Sequence, residues 1–205
     1  TYNGVAYSGG NGVVYSGFVN SETSAALSGI VSYTGTSQGA KNAGSYVITP
    51  QGLTSSNYAV SFVDGSLTIS PAGLSAIVAS LTGSTSKVYD GTTAATLAPS
   101  NFSLSGFVTG EGASVTKTSG TYDTASAGTN KTVTVNLASN DYSANSGTLL
   151  SNYTLPTTVN GSIGTVTKAP LTVTANSDTK TYNGVAYSGG NGVVYSGFVN
   201  SETSA

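Results

Sequence analysis

Apolar and polar residues alternate along much of this chain with a period of two. Tyr58, Val60 and Phe62 are separated by Ala59 and Ser61, Leu67 and Ile69 by Thr68, and Val133, Val135 and Leu137 by Thr134 and Asn136. Such alternation, carried by β-branched and aromatic residues, predicts half-buried β-strands. Between Phe62 and Leu67 stands Val63-Asp64-Gly65-Ser66, with Asp-Gly where a tight hairpin wants it, and Val159-Asn160-Gly161-Ser162 repeats the signal. Both stretches predict hairpin turns. Helical periodicity is nearly absent. One short helical turn is expected in NSETSAAL from Asn20, where Asn or Ser can cap it. The pattern predicts an all-β protein built from small antiparallel domains. An immunoglobulin-like sandwich and a β-grasp-like arrangement both accommodate these strands.

A longer regularity overlies the short one. TYNGVAYSGGNGVVYSGFVNSETSA occupies Thr1–Ala25 and recurs, letter for letter, at Thr181–Ala205. Exact recurrence of this length means a tandem repeat with a period of 180 residues. Inside that period lies a weaker duplication. Tyr2-Asn3-Gly4 answers to Tyr89-Asp90-Gly91, SGFVNSE at Ser16–Glu22 to SGFVTGE at Ser105–Glu111, and SNYAV at Ser56–Val60 to SNYTL at Ser151–Leu155. Two prolines, Pro71 and Pro170, follow closing strands and precede new apolar runs, GLSAIVAS and LTVTA, so they read as domain joints. The expected domains are residues 1–70, 71–169 and 170–205, the last being the first strand and start of the next copy. Because Leu171–Ala175 (Leu171, Thr172, Val173, Thr174, Ala175) directly precedes the repeated stretch, it reads as that domain's first strand. The 1–70 domain then lacks this strand, and the segment of another copy is a candidate to fill the slot by β-addition.

Composition narrows the chemistry. Charged residues make up 7% of the chain, against about 25% in ordinary globular proteins. The formal charge is -2 and there is no His or Cys. A basic surface for nucleic acid is missing, disulfides and thiolate metal sites are excluded, and no apolar run is long enough to insert into a membrane. Without His, Cys or a visible carboxylate pair, no nucleophile–base arrangement can be assembled, and the chain reads as a non-enzyme. The Tyr-Asn/Asp-Gly triplets are the most tempting site. They read as structural turns in which Gly takes positive φ, the Asx side chain bonds the backbone and Tyr packs inward. Asp64, Asp90, Asp123, Asp141 and Asp178 are scattered singly, whereas calcium asks for about six to eight oxygens. No cofactor or metal is expected. Tyr15, Tyr33, Tyr122 and Tyr142 fit core or cross-strand packing, with a sugar-stacking face as the other reading.

These residues carry a resemblance. Lys87–Thr92 (KVYDGT), SGFVTGE and the closing SNYTL and VNGSI resemble the YDG domain family. KTYNG at Lys180–Gly184, YSGFVNSE and AGSYVITPQGLTSSNYAVSFVDGSLTI resemble the MBG domain family. On that resemblance, 1–70 is MBG-like, 71–169 YDG-like and 170–205 the start of the next MBG-like repeat. Domains of this kind occur in tandem in large bacterial surface proteins similar to filamentous haemagglutinin. The resemblance implies an extracellular segment at the bacterial cell surface, a stalk or fibre piece of an adhesin, and it brings no catalytic residues. The expected partners are neighbouring repeats of the same protein, with like-chain strand exchange and a host glycan or protein as further candidates. A multivalent glycan- or protein-binding module and a self-assembling fibre subunit are the alternatives.

Overall fold

The computed structural model describes residues 1–73 and 76–204. In chain order the strands are β1 (Ser28–Thr34), β2 (Gly44–Thr54), β3 (Gly65–Ile69), β4 (Val78–Leu81), β5 (Thr85–Val88), β6 (Ala94–Thr96), β7 (Phe102–Ser105), β8 (Ala113–Val115), β9 (Ser119–Tyr122), β10 (Gly128–Asn136), β11 (Tyr142–Ala144), β12 (Thr158–Thr167), β13 (Thr172–Ala175) and β14 (Val193–Ser196). The protein is all-β, and its helical content among the described residues is confined to single 3-10 turns. The expected turn is present at Ser24–Ala26, capped by Thr23 rather than by Asn20 or a Ser. Further turns stand at Pro99–Asn101, Ser139–Asp141 and Leu150–Asn152. In two of them the third residue's side chain reaches back to the N-cap amide. Asn101 Oδ1 accepts from Ala98 N at 2.9 Å, and Asp141 Oδ2 from Ala138 N at 2.8 Å.

The chain divides into two compact units. One holds residues 1–78, 104–113 and 144–156, and the other holds 79–103, 114–143 and 157 onward. Three segments that chain order assigns to the 71–169 stretch, 71–78, 104–113 and 144–156, therefore belong with the first unit. Hydrophobic burial accounts for this: Tyr2, Ala72, Ile77 and Tyr153 form one buried cluster, packed against Ile69, Ala76, Phe107, Val108 and Leu155. Of the apolar run after Pro71, Leu74 and Ser75 lie outside the described residues.

In the first unit β1, β2 and β3 form an antiparallel sheet with β2 central. Tyr46 faces Leu67 and Gly44 faces Ile69. Leu67 and Ile69 are half-buried while Thr68 between them is exposed, the alternation the sequence predicts. The neighbouring expectation fails. Residues 58–62 are not a strand, and Asp64-Gly65 is not a hairpin tip. Gly65 instead opens β3, opposite Ile48.

In the second unit the sheet order is β5-β12-β10-β9-β6. Val133 and Val135 of β10 are fully buried, and Leu137 follows them inward. The pairs are antiparallel except for one: β5 runs parallel to β12, with Thr85 opposite Gly164 and Val88 opposite Thr167. The Asn160-Gly161 hairpin is also overturned, because both residues lie within β12. The β10/β12 register slips between Lys131, opposite Gly164, and Val133, opposite Gly161. A Cβ at Gly161 would sit 2.9 Å from Leu81 Cβ. Glycine here marks a bulge and a close approach, not a turn.

Tyr122 is buried in this unit, and among the described residues its hydroxyl has no hydrogen-bond partner. An orphaned buried hydroxyl costs about 1–3 kcal/mol. Tyr122→Phe is therefore expected to raise stability by about 1 kcal/mol, read as a higher urea midpoint at unchanged slope. A lower midpoint would mean that the hydroxyl is satisfied in solution.

Candidate functional site

The Tyr-Asn/Asp-Gly triplets fold alike. Asn3 Oδ1 accepts from Val5 N at 2.9 Å, Asp90 Oδ1 from Thr92 N at 2.9 Å, and Asn183 Oδ1 from Val185 N at 3.1 Å. The glycine after each has positive φ: 77° at Gly4, 73° at Gly91 and 73° at Gly184. Each is an Asx turn with glycine in the left-handed region. Asp90 is further engaged by Lys87 Nζ at 2.8 Å and by the Thr92 hydroxyl at 2.9 Å. The Lys87 bond, followed by the Thr92 amide and hydroxyl, holds its carboxyl down at about 2. This carboxylate is consumed by its own turn. Among the described residues no group of three His, Cys, Asp or Glu side chains comes together to hold a metal.

The tyrosines diverge. Tyr2 is 4% exposed, whereas Tyr182, in the identical sequence, is 93% exposed. What buries Tyr2 is a polar and aromatic cluster of the first unit. Its hydroxyl donates to Glu111 Oε1 at 2.5 Å, and the Tyr153 hydroxyl donates to Glu111 Oε2 at 2.6 Å. The two rings meet edge to face, with centroids 5.4 Å apart, and Phe107 packs on Tyr153 at 4.8 Å. Val108 N donates to the Tyr153 hydroxyl at 3.1 Å. Beside it the Asn152 side chain accepts from Ala43 N at 2.8 Å and donates to Asn42 Oδ1 at 3.0 Å. Ala72, next to the Pro71 joint, bonds the Asn152 carbonyl at 2.8 Å and bridges to Tyr153. At the other joint, Pro170 directly precedes Leu171 and β13.

Burial works to raise the Glu111 carboxyl, but the Tyr153 and Tyr2 hydroxyls, aided by the Lys41 charge, hold it below its ordinary value. Burial, and then the bond to that carboxylate, push Tyr153 up to about 12. A depressed carboxyl stabilises the fold above its unfolded pKa and withdraws that support as the pH falls through the folded value. A raised phenol supports the fold below its unfolded pKa and withdraws as the pH climbs towards about 12. The first unit is thus expected to loosen both in acid, below the usual carboxylate range, and in alkali between about 10 and 12. Glu111→Gln should flatten the acid limb. Amide exchange at Ala72 and Val108 as a function of pH tests this, and an acid limb unchanged in the variant would refute it.

A groove of about 630 Å³ also lies in the first unit. Tyr15, Phe18, Tyr33, Tyr58 and Phe62 are among its lining residues, with Val13 and Val14 along one wall. Phe18 and Tyr58 meet edge to face at 5.4 Å. Tyr122 and Tyr142 are buried in the second unit and are not among its lining residues.

The MBG domain family (YGX type) matches residues 4–68, and the YDG domain family matches residues 70–160. The chain thus carries an MBG domain over 4–68 and a YDG domain over 70–160. No curated protein and no solved structure matches it.

Seen as MBG and YDG modules, the chain shows a regularity that the motif reading missed. It has three glutamates, Glu22, Glu111 and Glu202, and each closes an SGFV-x-x-E segment. All accept tyrosine hydroxyls. Tyr58 donates to Glu22, Tyr2 and Tyr153 to Glu111, and Tyr89 to Glu202. Tyr58 and Tyr153 come from the SNY segment of the glutamate's own domain. Tyr2 and Tyr89 come from the Tyr-Asn/Asp-Gly turn of the domain before. Restriction of every Glu to one repeated motif, in a chain so poor in charge, was the available signal.

Proposed function

We propose that this MBG–YDG pair is a structural repeat of a large bacterial extracellular adhesin, a stalk or fibre segment that projects a distal binding region from the cell surface. The observation carrying this reading is the identity of Thr1–Ala25 and Thr181–Ala205 across one MBG–YDG period. A site under selection for chemistry needs particular side chains in one place, whereas a spacer needs copies. The functional side chains described above are spent on turns and on holding segments of the fold together, which suits a non-catalytic role. Small cohesive modules repeated along a chain extend it in proportion to their number.

The test is to compare chains of one, two and four periods by small-angle scattering or single-molecule extension. Contour length rising in proportion to period number is expected. A length that saturates would overturn the spacer role. The aromatic groove favours a second reading, an avidity module for a glycan or host protein. Saturable binding of glycans to a single 180-residue period, abolished by Tyr58→Ala, would support that reading over the first.

A further inference from the structure

Two joints in this chain are built alike. In the first unit Tyr2 N donates to Ser70 O at 2.7 Å, which pins the Tyr-Asn-Gly turn to the end of its own domain beside Pro71. In the second unit Tyr89 N donates to Thr167 O at 2.8 Å, which pins the Tyr-Asp-Gly turn shortly before Pro170. Past each joint comes an SGFV-x-x-E segment, Ser105–Glu111 or Ser196–Glu202. Its glycine faces a carbonyl of the joint: a Cβ at Gly106 would meet Ala76 O, and one at Gly197 would meet Pro170 O. The residues that follow close on the turn, where a Cβ at Gly4 would strike Val108 and one at Gly91 would strike Asn200. A backbone bond presents each glutamate, Glu111 N to Val108 O at 2.9 Å and Glu202 N to Val199 O at 3.0 Å. Onto these carboxylates the turn tyrosines donate, Tyr2 to Glu111 and Tyr89 to Glu202.

We infer that SGFV-x-x-E is a docking surface whose partner is the Tyr-Asx-Gly turn of the domain immediately before it in the chain, MBG or YDG alike. In the first unit an MBG turn meets a YDG segment. In the second a YDG turn meets a segment identical to Ser16–Glu22 of the MBG domain. The joints share the tyrosine hydroxyl, the glycines that let the backbones close and the carboxylate that accepts. The Asx side chain is spent inside its own turn, and the residues before the glutamate differ, Thr-Gly against Asn-Ser. Neither therefore selects the partner. A carboxylate drawn partly out of water needs such donors, and its charge makes each bond stronger than a neutral one. The docking ties the stability of each domain to its neighbour. It does not rest on the stalk reading, since a binding array needs joints as well.

The test is a pair of double-mutant cycles in the full chain, read by residue-resolved amide exchange. Tyr2→Phe and Glu111→Gln should each speed exchange about five- to tenfold at Ala72 and Thr154, whose amides bond across the first joint. Tyr89→Phe and Glu202→Gln should do the same over 193–196, where β14 pairs with β13. Both substitutions of one pair together should exceed the larger single effect by less than about twofold. Tyr2→Phe with Glu202→Gln should show only the two separate effects. Effects that multiply within either pair would overturn the docking, because hydroxyl and carboxylate would then act apart. Proportional growth of contour length with period number would survive that failure.

Discussion

Tyr153→Ala is expected to cost the first compact unit about 3–5 kcal/mol, the range for removing a buried aromatic ring. The side chain is 6% exposed and works in three ways at once. Its ring stands edge to face against both Tyr2 and Phe107, its oxygen accepts from Val108 N, and its proton goes to Glu111. Truncation opens a cavity and leaves a half-buried carboxylate with one tyrosine where it had two. Tyr153→Phe keeps both ring contacts and removes only the polar links, so it should cost less, about 1–3 kcal/mol. Urea unfolding followed by residue-resolved amide exchange separates the units. Protection should fall at Ala72 and Val108 and stay at Val133. Equal losses for Phe and Ala would mean that the carboxylate bond, rather than ring packing, dominates.

Gly106→Ala should be nearly as damaging, by a different route. Gly106 has φ of 95°, and a Cβ there would run into the backbone carbonyl of Ala76. Backbone atoms cannot rotate aside as a side chain can. The left-handed strain alone is about 1–2 kcal/mol, and the steric term adds to it, giving a loss of at least about 3 kcal/mol in total. Gly9→Ala is the matched control. Its φ is 85°, yet none of the described residues lies within 4 Å of the added carbon. That variant should lose about 1–2 kcal/mol. The difference in urea midpoint between the variants isolates the collision, and coincident midpoints would show that the chain near Ala76 yields.

Local periodicity was a good guide where one face of a strand meets a core. Val133, Val135 and Leu137 alternate in the sequence and are buried in the fold, and Leu67 and Ile69 do the same more weakly. It misled where the same short pattern serves more than one purpose. Asp64-Gly65 and Asn160-Gly161 have the composition of hairpin tips, but one opens a strand and the other sits at a slip of register beneath Leu81. Tyr58, Val60 and Phe62 alternate like a strand but line a groove, where aromatic and apolar side chains serve without a ladder. The expectation that the tyrosine of each Tyr-Asn/Asp-Gly turn packs inward holds at Tyr2 and fails at Tyr182. Tyr182 has the same neighbours in sequence and is exposed, so the difference comes from Glu111 and Tyr153, far along the chain. The MBG and YDG families were legible from motifs because those motifs are the turns and strand closures that recur in every copy.

The parallel pairing of β5 with β12 has a consequence for how the YDG sheet answers force. The chain enters β5 at one end of the ladder and leaves β12 at the opposite end, so tension on the two free ends drags the strands past each other lengthwise. The pairs from Thr85–Gly164 to Val88–Thr167 then resist together and must rupture together. An antiparallel arrangement of the same two strands would peel apart one rung at a time.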